Sequence, residues 1–158
     1  MAGRPIEPGE WRILDDAYHH SYHAWLERLG LAPDARAALT AAEAAGLAQS
    51  LLSMWHQDLV PLVERLGIGR FFRRVDGLRV PGGGGKTEHL VTHLAALEVQ
   101  ISAAVLVGDT LDDLAVAQAV GARCVLYDGG SHHRHALEAT GVPVVDTLIA
   151  ALAAAKQI

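Results

Sequence analysis

Three kinds of side chain that can handle a phosphoryl group stand in this chain in a set order: a hydroxyl at Ser53, an ammonium at Lys86, and carboxylates at Asp109, Asp112 and Asp113. The carboxylates are the most informative. An apolar run, Val105-Leu106-Val107, stops at Gly108 and the acids follow at once, which is how a buried parallel strand delivers acid groups to its carboxyl end, where open α/β sheets bind ligands. Asp109 and Asp113 are four apart, so a strand end and the first turn of the next helix can aim both at one small volume. Magnesium prefers hard oxygen ligands and keeps several waters, so one or two carboxylates plus a substrate phosphate suffice to hold it. Lys86 follows the run Gly82-Gly83-Gly84-Gly85 and opens a helical stretch, where a point charge can neutralise a phosphoryl oxygen. Ser53 ends the run Gln49-Ser50-Leu51-Leu52. Any turn can use such a serine, so its weight comes from its place relative to Lys86 and Asp109.

Plainer explanations compete for each of these residues. Aspartates at a helix start cap it and complement its dipole, and a lysine after a glycine run can simply be solvated. The sequence Gly-Lys86-Thr87 invites a nucleotide-loop reading, but that motif needs a glycine where Val80 stands. His89 and His93 are one helical turn apart, yet the glutamate, Glu88, precedes them instead of lying between them. The zinc-protease pattern is therefore absent, and solvated or core-edge histidine is the better account. Ser131-His132-His133-Arg134-His135 follows Gly129-Gly130 and is placed to line the rim of a cleft. Cys124, the single cysteine, lies in the apolar run Cys124-Val125-Leu126 and reads as a small core residue.

The elements that must position these groups can be read from periodicity. Leu14, Ala17, Tyr18, Ser21, Tyr22, Trp25, Leu26 and Leu29 recur at three- and four-residue spacing, which predicts a helix over about 12–29 closed by Gly30. An alanine-rich helix follows Pro33 and stops at Gly46. From there short apolar runs alternate with helical stretches, the texture of βαβ units on a parallel sheet. Strands are expected near 48–53, 74–78, 103–108, 123–127 and 143–145, and helices near 57–66, 86–97, 111–120, 133–140 and 147–156.

With 158 residues, 51% of them hydrophobic, the chain can bury a core. Its net charge of −5 gives no basic field to hold a nucleic acid. No apolar h-region opens the chain, and no window approaches the ~18 apolar residues of a membrane span. A cytoplasmic protein is expected.

Taken together, Ser53, Lys86 and the Gly-Asp-Thr-x-x-Asp pattern of residues 108–113 resemble the haloacid dehalogenase superfamily, in its phosphoglycolate-phosphatase-like branch, over residues 47–150. The resemblance implies an α/β, Rossmann-like three-layer parallel sheet with a small N-terminal helical cap remnant, divided as 1–45 and 46–158. It implies catalytic roles for Lys86 and Asp113, phosphate binding by Ser53 and Lys86, and Mg2+ bound by Asp109. The implied substrate is a small phosphorylated metabolite.

One part of the family pattern is missing. The family's nucleophile is the first aspartate of an Asp-x-Asp motif closing the first core strand, and no Asp-x-Asp occurs in this chain. The nearest candidate, Asp15, is followed two positions later by Ala17 and lies in a stretch of helical periodicity. The reading is therefore of a phosphatase scaffold shortened at its N-terminus, and inactive if nothing supplies the nucleophile. In the family's sheet the missing strand lies between those expected at 48–53 and 103–108. Either these two pair directly, or their backbone groups need another partner. The second reading follows from that: a non-catalytic module that recruits a partner strand, or a second copy of itself, at the missing-strand position.

Overall fold

Glu7 and Glu10 form a reciprocal capping box that starts α1 (Pro8–Arg28), a helix of 21 residues. In this computed structural model, residues 7–54, 59–77 and 85–158 are described. They fall into two units that divide after Gly30. The first unit is α1 with its flanks. Tyr22 lies between Tyr18 and Trp25, with ring centroids 5.8 and 6.1 Å away respectively.

The second unit runs α2 (Ala35–Ala44), β1 (Ser50–Leu52), α3 (Leu59–Arg65), β2 (Arg74–Asp76), α4 (Lys86–Ala96), β3 (Val105–Gly108), α5 (Leu111–Val120), β4 (Arg123–Tyr127), α6 (Arg134–Glu138), β5 (Val144–Val145) and α7 (Leu148–Ala155). All described strand pairs are parallel, as the alternation of strand and helix requires. The fold is therefore α/β, as the sequence predicts, and each expected strand is present: β4 over its full expected span and the others shorter, with residue 78 of the second lying outside the described residues. The alanine-rich helix α2 packs against α7 within this unit, where Asp34 accepts a hydrogen bond from the backbone of Ile149 at 2.9 Å. Helix α2 thus belongs to this second unit.

The sheet is in two parts. β1 pairs with β2, while β3, β4 and β5 form a separate three-stranded sheet in that order. β4 has a neighbour on each side, and its Val125 and Leu126 are fully buried. Around it Leu114, Ala117, Cys124, Leu126 and Leu137 close one cluster, which confirms Cys124 as a core residue. A second cluster, Leu59, Val63, Ile68 and Phe71, packs with Leu51 and Val75 on the smaller sheet. A third joins the two parts, since Leu52 of β1 packs with Leu90 and Leu94 of α4 and Val116 of α5. β1 and β3 do not pair with each other among the described residues. Direct pairing, one of the two outcomes expected from the sequence, does not occur, and Val107 of β3 stays 43% exposed.

Candidate active site

Helix α5 begins on a hydrogen-bonded knot at the carboxyl end of β3. Thr110 is its N-cap, and the Thr110 hydroxyl oxygen accepts from the Asp113 amide at 3.1 Å. Asp113 answers through a single carboxylate oxygen, Oδ2, which accepts from the amides of Asp109 and Thr110 at 3.1 and 3.0 Å and from the Thr110 hydroxyl at 2.6 Å. Its other oxygen, Oδ1, meets Lys86 Nζ at 2.6 Å. Asp113 therefore does cap its helix, as the plainer explanation holds, and it also anchors the lysine.

Gly108 makes this geometry possible. A Cβ on Gly108 would lie 2.3 Å from the Asp113 Cβ, well inside contact distance. Asp113 is buried, and burial raises its pKa, but the hydrogen bonds and charge of Lys86 together with the Thr110 donors outweigh that, so the net shift is downward. The carboxylate stays ionised through the physiological range.

Asp109 is held from another direction. The amide of Ser131, in the loop after β4, donates to Asp109 Oδ2 at 2.8 Å. A Cβ on Gly130 would sit 2.1 Å from that same oxygen, so only glycine lets the loop close over the carboxylate. Asp109 Oδ1 is left without a hydrogen-bond donor among the described residues.

Lys86 is the first residue of α4, after the N-cap Gly85. About two helical turns further on, His93 is buried to 2% exposure and its Nδ1 lies 2.8 Å from Asp76 Oδ2. Arg74 Nε donates to the same oxygen. Burial raises the Asp76 pKa, but the hydrogen bonds and charges of Arg74 and His93 outweigh that, so the net shift is again downward. Asp76 closes β2, and its carbonyl accepts from the amide of Ser53 at the end of β1, at 3.0 Å.

The four expected site residues are thus related unequally. Lys86 and Asp113 form an ion pair, and Asp113 in turn accepts from the Asp109 amide. Ser53 belongs to the other sheet and is tied to them through Asp76, His93 and the helix that Lys86 begins. His93 is a buried partner of Asp76, so a solvated position is ruled out for it. Among the described residues no group of three or more histidine, cysteine or acidic side chains gathers as a metal cage. The donor set nonetheless fits a magnesium ion that keeps most of its water, because Asp109 offers one hard oxygen, Oδ1, while both carboxylate oxygens of Asp113 already have partners.

Sequence reasoning placed Ser131 at the rim of a cleft without its contact to Asp109, and missed Thr110, Gly130, Asp76 and His93 as parts of this arrangement. Thr110 was readable, since Thr110-Leu-Asp-Asp113 has the form of a capping box. The others meet across 17 or more residues with no local pattern to announce them.

Comparison with known proteins agrees with this architecture. The HAD-hydrolase-like family model matches residues 84–151. The fold superimposes on a predicted phosphoglycolate phosphatase from Haemophilus somnus with a TM-score of 0.83 at 16% identity, covering 95% of this chain and 68% of that one. A haloacid dehalogenase-like family protein from Streptococcus pneumoniae gives 0.77 at 18% identity, covering 94% and 71%. A phosphoglycolate phosphatase candidate from Lactobacillus delbrueckii gives 0.71 at 21% identity, covering 80% and 54%. The chain thus spans between about half and seven tenths of these proteins' lengths. No curated protein sequence matches it.

Proposed function

We propose, with the haloacid dehalogenase-like fold as the premise, that this chain supplies the phosphate- and metal-gripping part of a hydrolase acting on small phosphate monoesters. The observation that carries the reading is the contact of Lys86 Nζ with Asp113 Oδ1 at 2.6 Å, in a knot that also fixes the Asp109 backbone. It sets an ammonium beside carboxylates at the carboxyl end of a parallel strand. A cation held this way offsets the charge of a phosphoryl group without reorganising when it arrives. Asp113 fixes the lysine and does not itself touch substrate, so Lys86 and Ser53 are the phosphate-binding groups. Asp109 would hold Mg2+, which when bound supplies charge neutralisation at the phosphoryl oxygens.

Hydrolysis by the family's route needs a carboxylate that attacks phosphorus, expels the alcohol and forms an acyl phosphate, which water then cleaves to phosphate. No Asp-x-Asp of this chain offers that carboxylate. The reading is therefore that the chain grips phosphate and Mg2+, while turnover depends on a strand seated between β1 and β3. The test is a Mg2+-dependent assay over a broad panel of phosphate monoesters, run beside a titration with inorganic phosphate. Saturable phosphate binding that requires Lys86 supports the proposal; a chain that neither binds nor hydrolyses contradicts it.

A second reading rests on the divided sheet. Val107 of β3 is more exposed than any residue of β4, and an open strand edge invites pairing with another chain. On this reading the chain is a cytoplasmic binding module that takes a partner strand, or a second copy, at that position. Hydrogen exchange discriminates: slow exchange of both β1 and β3 in a chain that stays monomeric leaves this reading without support.

A further inference from the structure

His93 stands where a leucine would pack more simply. On α4 it lies between Leu90 and Leu94, and all three are buried. The Nε2 atom of its ring is buried with no hydrogen-bond partner among the described residues. An unpaired polar atom in a core is costly, so something else that the ring does must offset it.

The other ring nitrogen supplies that. Nδ1 lies 2.8 Å from Asp76 Oδ2, and because an ionised carboxylate only accepts, Nδ1 is the donor. Asp76 is in register with Leu52 on the neighbouring strand, and both meet α4: Leu52 packs with Leu90 and Leu94, while Asp76 pairs with His93. Apolar burial holds strand and helix together without direction. The hydrogen bond from imidazole to carboxylate has direction, so it can set their register.

Each end of this link leads to a phosphate-binding candidate. The Asp76 carbonyl accepts from the Ser53 amide at 3.0 Å, so Asp76 fixes where Ser53 stands at the end of β1. Lys86 precedes His93 by seven residues, which puts the two within about 20° on the circumference of α4 and about 10 Å apart along its axis. One face of the helix therefore carries Lys86 to Asp113 and His93 to Asp76.

We propose that His93 is a positioning residue: through Asp76 it sets the spacing between the Ser53 hydroxyl and the Lys86 ammonium, across a sheet whose two parts do not pair among the described residues. This role rests on the reading of Ser53 and Lys86 as phosphate-binding groups. The buried ring itself makes no contact with a ligand.

The test is isothermal titration of inorganic phosphate, with Mg2+ present, into the full chain as wild type, His93→Leu, His93→Gln and His93→Asn, each with and without Ser53→Ala. Circular dichroism and a melting curve confirm that each variant is folded. His93→Leu should weaken binding about tenfold while Ser53 is present and change nothing once Ser53→Ala has removed the hydroxyl. His93→Gln, whose amide nitrogen falls nearer the place of Nε2, should behave as His93→Leu does, and it carries the test alone if the leucine variant fails to fold. His93→Asn, whose amide can donate from near the place of Nδ1, should recover most of the wild-type affinity. A purely structural defect would weaken binding equally in both backgrounds. That result, or full affinity in the leucine and glutamine variants, overturns the inference, while phosphate binding by the wild type and its loss in Lys86→Met leave the hydrolase reading standing. A wild type that binds no phosphate contradicts that reading, and the role of His93 falls with it.

Discussion

At the scale of single residues, the site is made by atoms that leave one another no room. Gly130→Ala would place a methyl group where Asp109 Oδ2 now lies, so it should weaken Mg2+ binding while leaving the thermal midpoint nearly unchanged; isothermal titration and a melting curve read the two separately. Lys86→Met keeps the aliphatic stem but removes the charge. It should cut phosphate affinity by about ten- to a hundredfold, the effect of losing 1.5–3 kcal/mol from a charge-assisted hydrogen bond. The pH dependence has a definite sign. The Asp113 pKa is lowered from its ordinary 3.8, so its contribution to stability is fully present above that value and is lost as pH falls through the lower folded value. Chemical denaturation of wild type and Asp113→Asn should therefore differ most at neutral pH and converge in acid.

At the scale of elements, the helix starts and the buried strand carry most of the stability. Thr110→Ala removes one half of the capping box on α5 and should cost about 1 kcal/mol in urea denaturation. Leu126→Ala opens a cavity at a fully buried position of β4 and should cost about 2–5 kcal/mol. Elements were the most legible part of the sequence. Glycine stops, apolar runs and the Thr110-to-Asp113 spacing are local signals, and the helix beginning at Lys86 falls where they predict. What could not be read is what those elements meet. His93 shows only helical spacing from His89, and nothing near it in sequence points to Asp76, 17 residues away on β2. The closure of Ser131 over Asp109 depends likewise on a loop returning from the far end of β4.

At the scale of the whole molecule, the sheet's division decides what the chain can do. A parallel sheet is normally covered on both faces, and here β4 alone has two strand neighbours among the described residues. Its amides should exchange most slowly. The proposed grip on phosphate spans that division, because Ser53 follows β1 of one sheet and Asp109 follows β3 of the other. The central claim, that Ser53, Lys86 and Asp109 act on one phosphoryl group, is tested most directly by titrating inorganic phosphate into the chain with Mg2+ present and following backbone amides by NMR. The account predicts saturable shifts at Ser53, Lys86 and Asp109 with a common affinity, abolished together by Lys86→Met. Shifts confined to one of the two sheets, or unchanged in that variant, would contradict it.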